Sequence, residues 1–206
     1  LQWPEGFEPA YAEVTLSARG PGIEQWQANR QQTAGGVLAC DAYDLLEALI
    51  AIRGLPETIL AATGRLVGGP PEARRETEDV VLAILRYPNG GLALIRAVWD
   101  LAPPEQRLLL SGPRGQLLLT PAEVVVSAAD GQVVDQQALP HDYAGMELRT
   151  FIDAVRTHNK ARAATSLDRH LAVSALIETV YLAAQTGHPE SPGRLFALQG
   201  LNEPRS

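Results

Sequence analysis

The sequence has a single cysteine, Cys40, so no internal disulfide can form, and a reducing compartment, the cytoplasm, is expected. It has four histidines (His141, His158, His170 and His188), and together with Cys40 they never fall at metal-ligand spacing, which excludes a structural zinc site. Lysine is nearly absent: of 17 basic residues only Lys160 is lysine, so almost no amine is available as a catalytic base. No apolar run approaches the ~20 residues that span a bilayer, and a membrane partner is not expected. Positive charge is also short, with 24 acidic residues and a net charge of −7; a phosphate backbone would be repelled, so no nucleic-acid partner is expected. The chain starts at Leu1 with no basic-then-apolar leader, and it reads as a fragment.

What is present is an ordinary apolar content, 46% over 206 residues, enough for one packed domain. Residues 1–8 read as irregular. Alternation puts a strand at 10–18, with Val14 and Leu16 on one face. After Ala34-Gly35-Gly36 a Leu- and Ala-rich stretch reads as one helix, stopped by Gly54 and kept from resuming by Pro56. The middle is dense in strands, at about 57–67, 77–87, 91–100, 106–111, 115–120, 122–128 and 132–138. Asn89-Gly90 and Asp130-Gly131 mark tight hairpins, since both tolerate positive φ, and Gly112 to Gly115 makes another short connection. Residues 68–76 read as an exposed loop. Helices return at 146–158 and after Thr165-Ser166-Leu167-Asp168, a cap-like run, with Gly187 ending the last one.

These elements predict an α+β fold: an open, mostly antiparallel sheet with helices packed on one face. The domain is expected over 1–188, with 189–206 an irregular tail. Strand 91–100 is mostly apolar on both faces, with Leu92, Leu94, Arg96 and Val98 on one and Ala93, Ile95, Ala97 and Trp99 on the other. One face would be left without helices, so a homo-oligomer through the sheet face is expected.

Several segments then resemble one family in order and spacing. Trp26, then Ala34-Gly35-Gly36-Val37-Leu38, a helix, and Gly54-Leu55-Pro56-Glu57 are similar to the start of the C-terminal domain of the Gfo/Idh/MocA oxidoreductases (glucose–fructose oxidoreductase and inositol dehydrogenase-like). Glu78-Asp79 before a strand ending Arg86-Tyr87-Pro88-Asn89-Gly90, and Ser111 to Leu117, resemble the family's middle strands. Phe151 to Arg156 and Ser166 to Gly187 resemble its closing helices. The resemblance implies a two-domain enzyme in which an N-terminal Rossmann domain binds NAD or NADP and this domain supplies substrate contacts and the oligomer sheet. Here the glycine-rich strand–turn–helix is missing, as is the catalytic lysine of the family's Glu-Lys-Pro motif; Lys160 sits in Asn159-Lys160-Ala161. No cofactor is therefore expected on this chain alone.

The family commonly carries an Asp and, four residues on, a His on the helix after the glycines, one face of a helix holding both. An ungapped match puts Cys40 at the Asp position and Asp44 at the His position; a shift by one puts Asp41 and Leu45 there. Asp44 is the candidate base, although an ordinary Asp with a pKa of ~4 accepts protons poorly at neutral pH unless buried. Cys40, Tyr43 and Trp26 are the candidate substrate contacts: a thiol near a helix start, a hydroxyl donor and a stacking surface. Each has a structural alternative: an exposed polar residue, a small buried side chain, packing on the sheet, and anchoring of the loop. Glu78 and Asp79 read as a solvated strand start, and His141-Asp142-Tyr143 as a turn. The functional expectation is the substrate-binding and oligomerisation domain of an NAD(P)-dependent oxidoreductase acting on a sugar, cyclitol or similar polyol. The alternative is a non-catalytic relative serving binding or assembly.

Overall fold

A computed structural model describes residues 7–67, 74–140, 143–157, 160–198 and 200. The first irregular residues, most of the 68–76 loop, His141-Asp142 and the end of the tail lie outside the described residues. The strands are β1 (Tyr11–Ala18), β2 (Thr58–Gly64), β3 (Val80–Arg86), β4 (Leu92–Trp99), β5 (Glu105–Gly112), β6 (Gly115–Leu119), β7 (Glu123–Ala128) and β8 (Val133–Ala138). They form one eight-stranded sheet in the order β2-β3-β4-β1-β5-β6-β7-β8. Only β1 and β4 pair in parallel; the other neighbours are antiparallel. The α+β expectation of an open, mostly antiparallel sheet therefore holds. The β3–β4 hairpin turns where Asn89-Gly90 predicted it, with Gly90 at φ 81° and its N–H donating to the Tyr87 carbonyl.

The helices are α1 (Val37–Asp41), α2 (Tyr43–Arg53), α3 (Tyr143–Arg156), α4 (Lys160–Thr186) and α5 (Pro192–Leu198). α1, α2 and α4 cover one face of the sheet. Val14 and Leu16 of β1, Ile95 and Trp99 of β4 and Leu108 and Leu110 of β5 point into that layer. They meet Leu38 of α1, Leu46 and Leu49 of α2, and Val173, Leu176 and Val180 of α4, all buried. On the other face Leu60, Leu82, Ile84 and Leu92 remain 44–52% exposed.

Three sequence expectations need correction. The single helix expected after Gly36 is interrupted at Ala42, which sits at φ −89° and ψ −3°, giving α1 and α2. The run 165–168 does not start a helix but lies inside α4, which begins at Lys160. The tail is not irregular throughout: 192–198 form α5, Phe196 is buried, and Glu190 bridges to Ile59 at the edge of β2.

Candidate functional site

Antiparallel pairing brings the ends of β1, β2 and β4 and the start of β3 to one end of the sheet. α1 begins there too. It has no cap from its own sequence: Gly36 precedes it without a side-chain bond. Glu78, in the segment leading into β3, supplies the missing acceptors. Its Oε2 accepts from the Gly36 N–H (2.7 Å), its Oε1 from the Leu38 N–H (3.3 Å), and its backbone carbonyl from the Val37 N–H (3.2 Å). The Tyr181 hydroxyl of α4 donates to the same Oε1 at 2.8 Å, and burial, then the Glu78 charge, push the Tyr181 phenol up. Gly36 is required here, because a Cβ would run into the Glu78 backbone. Glu78 is thus a helix cap supplied from 40 residues further along the chain, not a solvated strand start. Its neighbour Asp79 is also buried, accepting from the Leu66 and Val67 N–H groups at 2.7 and 2.8 Å.

The cap fixes the direction of α1 and so where its last residue lands. Asp41 reaches the end of β4, where its Oδ2 accepts the Trp99 indole N–H at 2.6 Å. Trp99 is 1% exposed, so this N–H has no water to bond and needs the carboxylate. Beyond it opens a cleft of about 730 Å³ lined by Arg19, Glu24, Asp41, Arg75, Trp99 and Asp100 among others. Its walls are tied together by charge. Arg75 donates through Nη2 to Asp100 (2.7 Å) and through Nε to the Pro21 carbonyl (2.7 Å), and its guanidinium lies 5.4 Å from the Trp99 ring. Asp100 holds a left-handed backbone, φ 58°, and accepts the Gly20 N–H. Burial alone would raise the Asp100 carboxyl, but the bonds from Arg75 and Gly20 and the nearby arginine charges hold it below its usual range. A second cleft of about 610 Å³ lies at the same end, with Arg30, Arg65, Glu76, Glu78, Glu178 and Tyr181 in its lining. Among the described residues no group of His, Cys, Asp and Glu could hold a metal ion.

The four residues expected from sequence fall outside the first cleft. Asp44 is exposed on the first turn of α2 and lines neither cleft. The Cys40 Sγ is half-buried beside the Gly35 carbonyl (3.5 Å) and the Thr33 hydroxyl (3.7 Å), and burial raises its thiol despite the Thr33 bond. The Tyr43 hydroxyl pairs with His170 Nδ1 of α4 at 2.5 Å, and burial, then Glu47 and Asp44, raise it. Trp26 is 55% exposed, and its neighbours Gln25 and Gln27, not Trp26 itself, line the cleft. Sequence reasoning passed over Arg19, Arg75, Trp99 and Asp100. The available signal was positional: Arg19 and Asp100 directly follow the two parallel strands, where open sheets place ligands.

Solved structures share this architecture. An aldose-aldose oxidoreductase from Caulobacter crescentus complexed with glycerol matches with a TM-score of 0.70 and 20% identity, over 88% of this chain and 55% of that one. A levoglucosan dehydrogenase complexed with NADH and levoglucosan matches at 0.68 and 13%, over 88% and 58%. The WlbA dehydrogenase from Bordetella pertussis in complex with NADH and UDP-GlcNAcA matches at 0.64 and 18%, over 88% and 53%. At these identities the likeness is one of fold, and this chain spans little more than half the length of each. A comparison with curated proteins finds no match. A family profile described as the GFO/IDH/MocA C-terminal domain matches residues 8–118, more than half of the chain. The strand order, the helix after Gly35-Gly36 and this match agree, and the chain belongs to the GFO/IDH/MocA C-terminal domain family.

Proposed function

We propose that this domain binds the substrate of an NAD(P)-dependent oxidoreductase acting on a sugar, cyclitol or similar polyol, and that it assembles through its open sheet face. The observation that carries the first part is the cleft at the carboxyl ends of β1 and β4, with the Asp41–Trp99 pair on its wall. Carboxylates, guanidinium groups and side-chain amides alternate around it, which suits a ligand made of hydroxyls. Support for the reading also comes from the solved relatives, whose ligands include glycerol, levoglucosan and a nucleotide sugar. The residues of this chain do not fit a dinucleotide: no glycine-rich turn joins a strand to a helix, and Gly36 is filled by Glu78. NAD or NADP is assigned to a Rossmann domain outside this chain.

Within the chain, Asp41 takes the role first given to Asp44. Its carboxylate is held by Trp99, faces the cleft, and accepts a hydrogen bond from a substrate hydroxyl. A non-catalytic binding module is the competing reading, because among the described residues no histidine accompanies Asp41 in the cleft lining. The two separate in one assay. The full-length product of the gene, reading frame extended upstream of Leu1, is tested for polyol-dependent reduction of NAD+ and NADP+. Turnover that falls at least tenfold in Asp41→Asn, with the fold intact, supports the enzyme. Polyol binding without turnover, or turnover indifferent to Asp41→Asn, overturns it. The lone half-buried Cys40 is the reason for proposing the cytoplasm as its place.

A further inference from the structure

We propose that Arg75 sets the ligand specificity of the Asp41–Trp99 cleft: together with Asp41 it recognises two adjacent hydroxyls of an uncharged polyol. This rests on the cleft being the substrate site. Three observations carry it. First, Arg75 and Asp41 meet the same indole from different sides. Asp41 Oδ2 takes the Trp99 N–H at 2.6 Å, and the Arg75 guanidinium lies 5.4 Å from the ring centroid. The rigid buried ring therefore sets their spacing.

Second, each has a polar atom left over. One edge of the guanidinium is committed, Nε to Pro21 and Nη2 to Asp100, while Nη1 makes no hydrogen bond among the described residues. Asp41 Oδ1 likewise makes none among them. One leftover donor and one leftover acceptor match a vicinal diol: one hydroxyl donates to Asp41 Oδ1 and its neighbour accepts from Arg75 Nη1.

Third, the charge of Arg75 is already balanced by Asp100 at 2.7 Å. It offers a donor, not a spare positive charge. A ligand carboxylate would meet Glu24, Asp41 and Asp100 against Arg19 and Arg75, one more acid than base among the described lining residues. The cleft thus favours a neutral diol over an acidic one.

The test uses the full 206-residue chain, ¹⁵N-labelled, titrated separately with myo-inositol (a neutral polyol with adjacent hydroxyls) and L-tartrate (a charged diol). The Trp99 indole N–H and Arg75 Nε–H signals are the reporters. Expected is saturable movement of both signals with myo-inositol, and binding of tartrate at least about tenfold weaker. Arg75→Met weakens myo-inositol binding about tenfold or more and, by leaving Asp100 without its counter-charge, weakens tartrate still further and widens the preference. General loosening of the cleft would weaken both ligands alike and leave that preference unchanged. Asp41→Asn, which can still accept the indole N–H, weakens myo-inositol as well.

Equal affinity of folded Arg75→Met, an unchanged preference, or tartrate binding as tightly as myo-inositol overturns the role of Arg75 and leaves the cleft as the substrate site. Absence of any polyol binding by the unaltered chain overturns both. If Arg75→Met loses its dispersed spectrum, Arg75→Lys and Asp41→Asn decide instead: lysine cannot serve Pro21, Asp100 and a hydroxyl together, so undiminished binding in both variants overturns the proposal.

Discussion

Glu78 satisfies two backbone donors at the start of α1 and the hydroxyl of Tyr181 with a single carboxylate. Losing it leaves those groups buried and unpaired. Glu78→Ala should therefore cost about 3 kcal/mol of stability, a lost cap plus an orphaned hydroxyl, with Glu78→Gln in between; urea unfolding measures both. An unchanged midpoint would mean that α1 holds without this cap. Tyr87 allows a second residue-scale prediction. Burial raises its phenol from 10.0 to about 12, the stacked Arg53 partly opposing. The folded form binds the proton more tightly than the unfolded form. The stability this confers is complete below about pH 10 and is lost as pH rises to about 12, roughly 2–3 kcal/mol in all. Tyr181 acts with the same sign. Tyr87→Phe should flatten the fall in stability between pH 10 and 12, and a curve of unaltered slope counts against the burial of Tyr87. Cys40 gives a third prediction: with its thiol raised by burial, labelling by a disulfide reagent at pH 7 should run much more slowly than for a free thiol. Fast labelling would restore it as a reactive group.

At the scale of elements, the strands were legible because each carries its own local record. Alternation, Asn89-Gly90 and Asp130-Gly131 fix hairpins between neighbours, and Gly54 and Gly187 take positive φ where α2 and α4 stop. The site was less legible because its determinants are long-range. Glu78 caps a helix 40 residues earlier in the chain, Asp41 is placed by Trp99, and Arg75 by Asp100 and Pro21. A register count along one helix cannot weigh such contacts, which is why the ungapped match points to Asp44, two residues past the break at Ala42, and is blind to the Asp41–Trp99 bond. The tail failed for a related reason: α5 is short, and it packs along α4, with Phe196 buried, after Glu190 has paired with the edge of β2. Phe196→Ala should accordingly cost about 3 kcal/mol or more in denaturant unfolding. A draped tail would give a change within about 0.5 kcal/mol.

For the whole molecule the decisive feature is the sheet face on which Leu60, Leu82, Ile84 and Leu92 stay exposed among the described residues. Register places Leu60 beside Ile84, and Ile84 beside Leu94, while Leu82 sits diagonal to both rows, so exposed apolar side chains adjoin across β2, β3 and β4. Beside this patch Glu13, Glu105, Arg96 and Arg107 form ion pairs within the chain. Those charges are matched already and ask nothing of a partner, whereas the leucines and Ile84 gain only by leaving water. A second copy turned about a two-fold axis would set patch on patch, the arrangement most homo-oligomers use. Light scattering of the 206-residue chain is expected to give a dimer or larger assembly. The double substitution Leu60→Glu and Ile84→Glu puts four like charges into a two-fold contact and leaves the helix-covered face untouched. It should weaken association about a hundredfold or more, with an unchanged circular dichroism spectrum. A monomeric unaltered chain, or an assembly that survives both glutamates, would place the contact elsewhere and leave this face to a different partner.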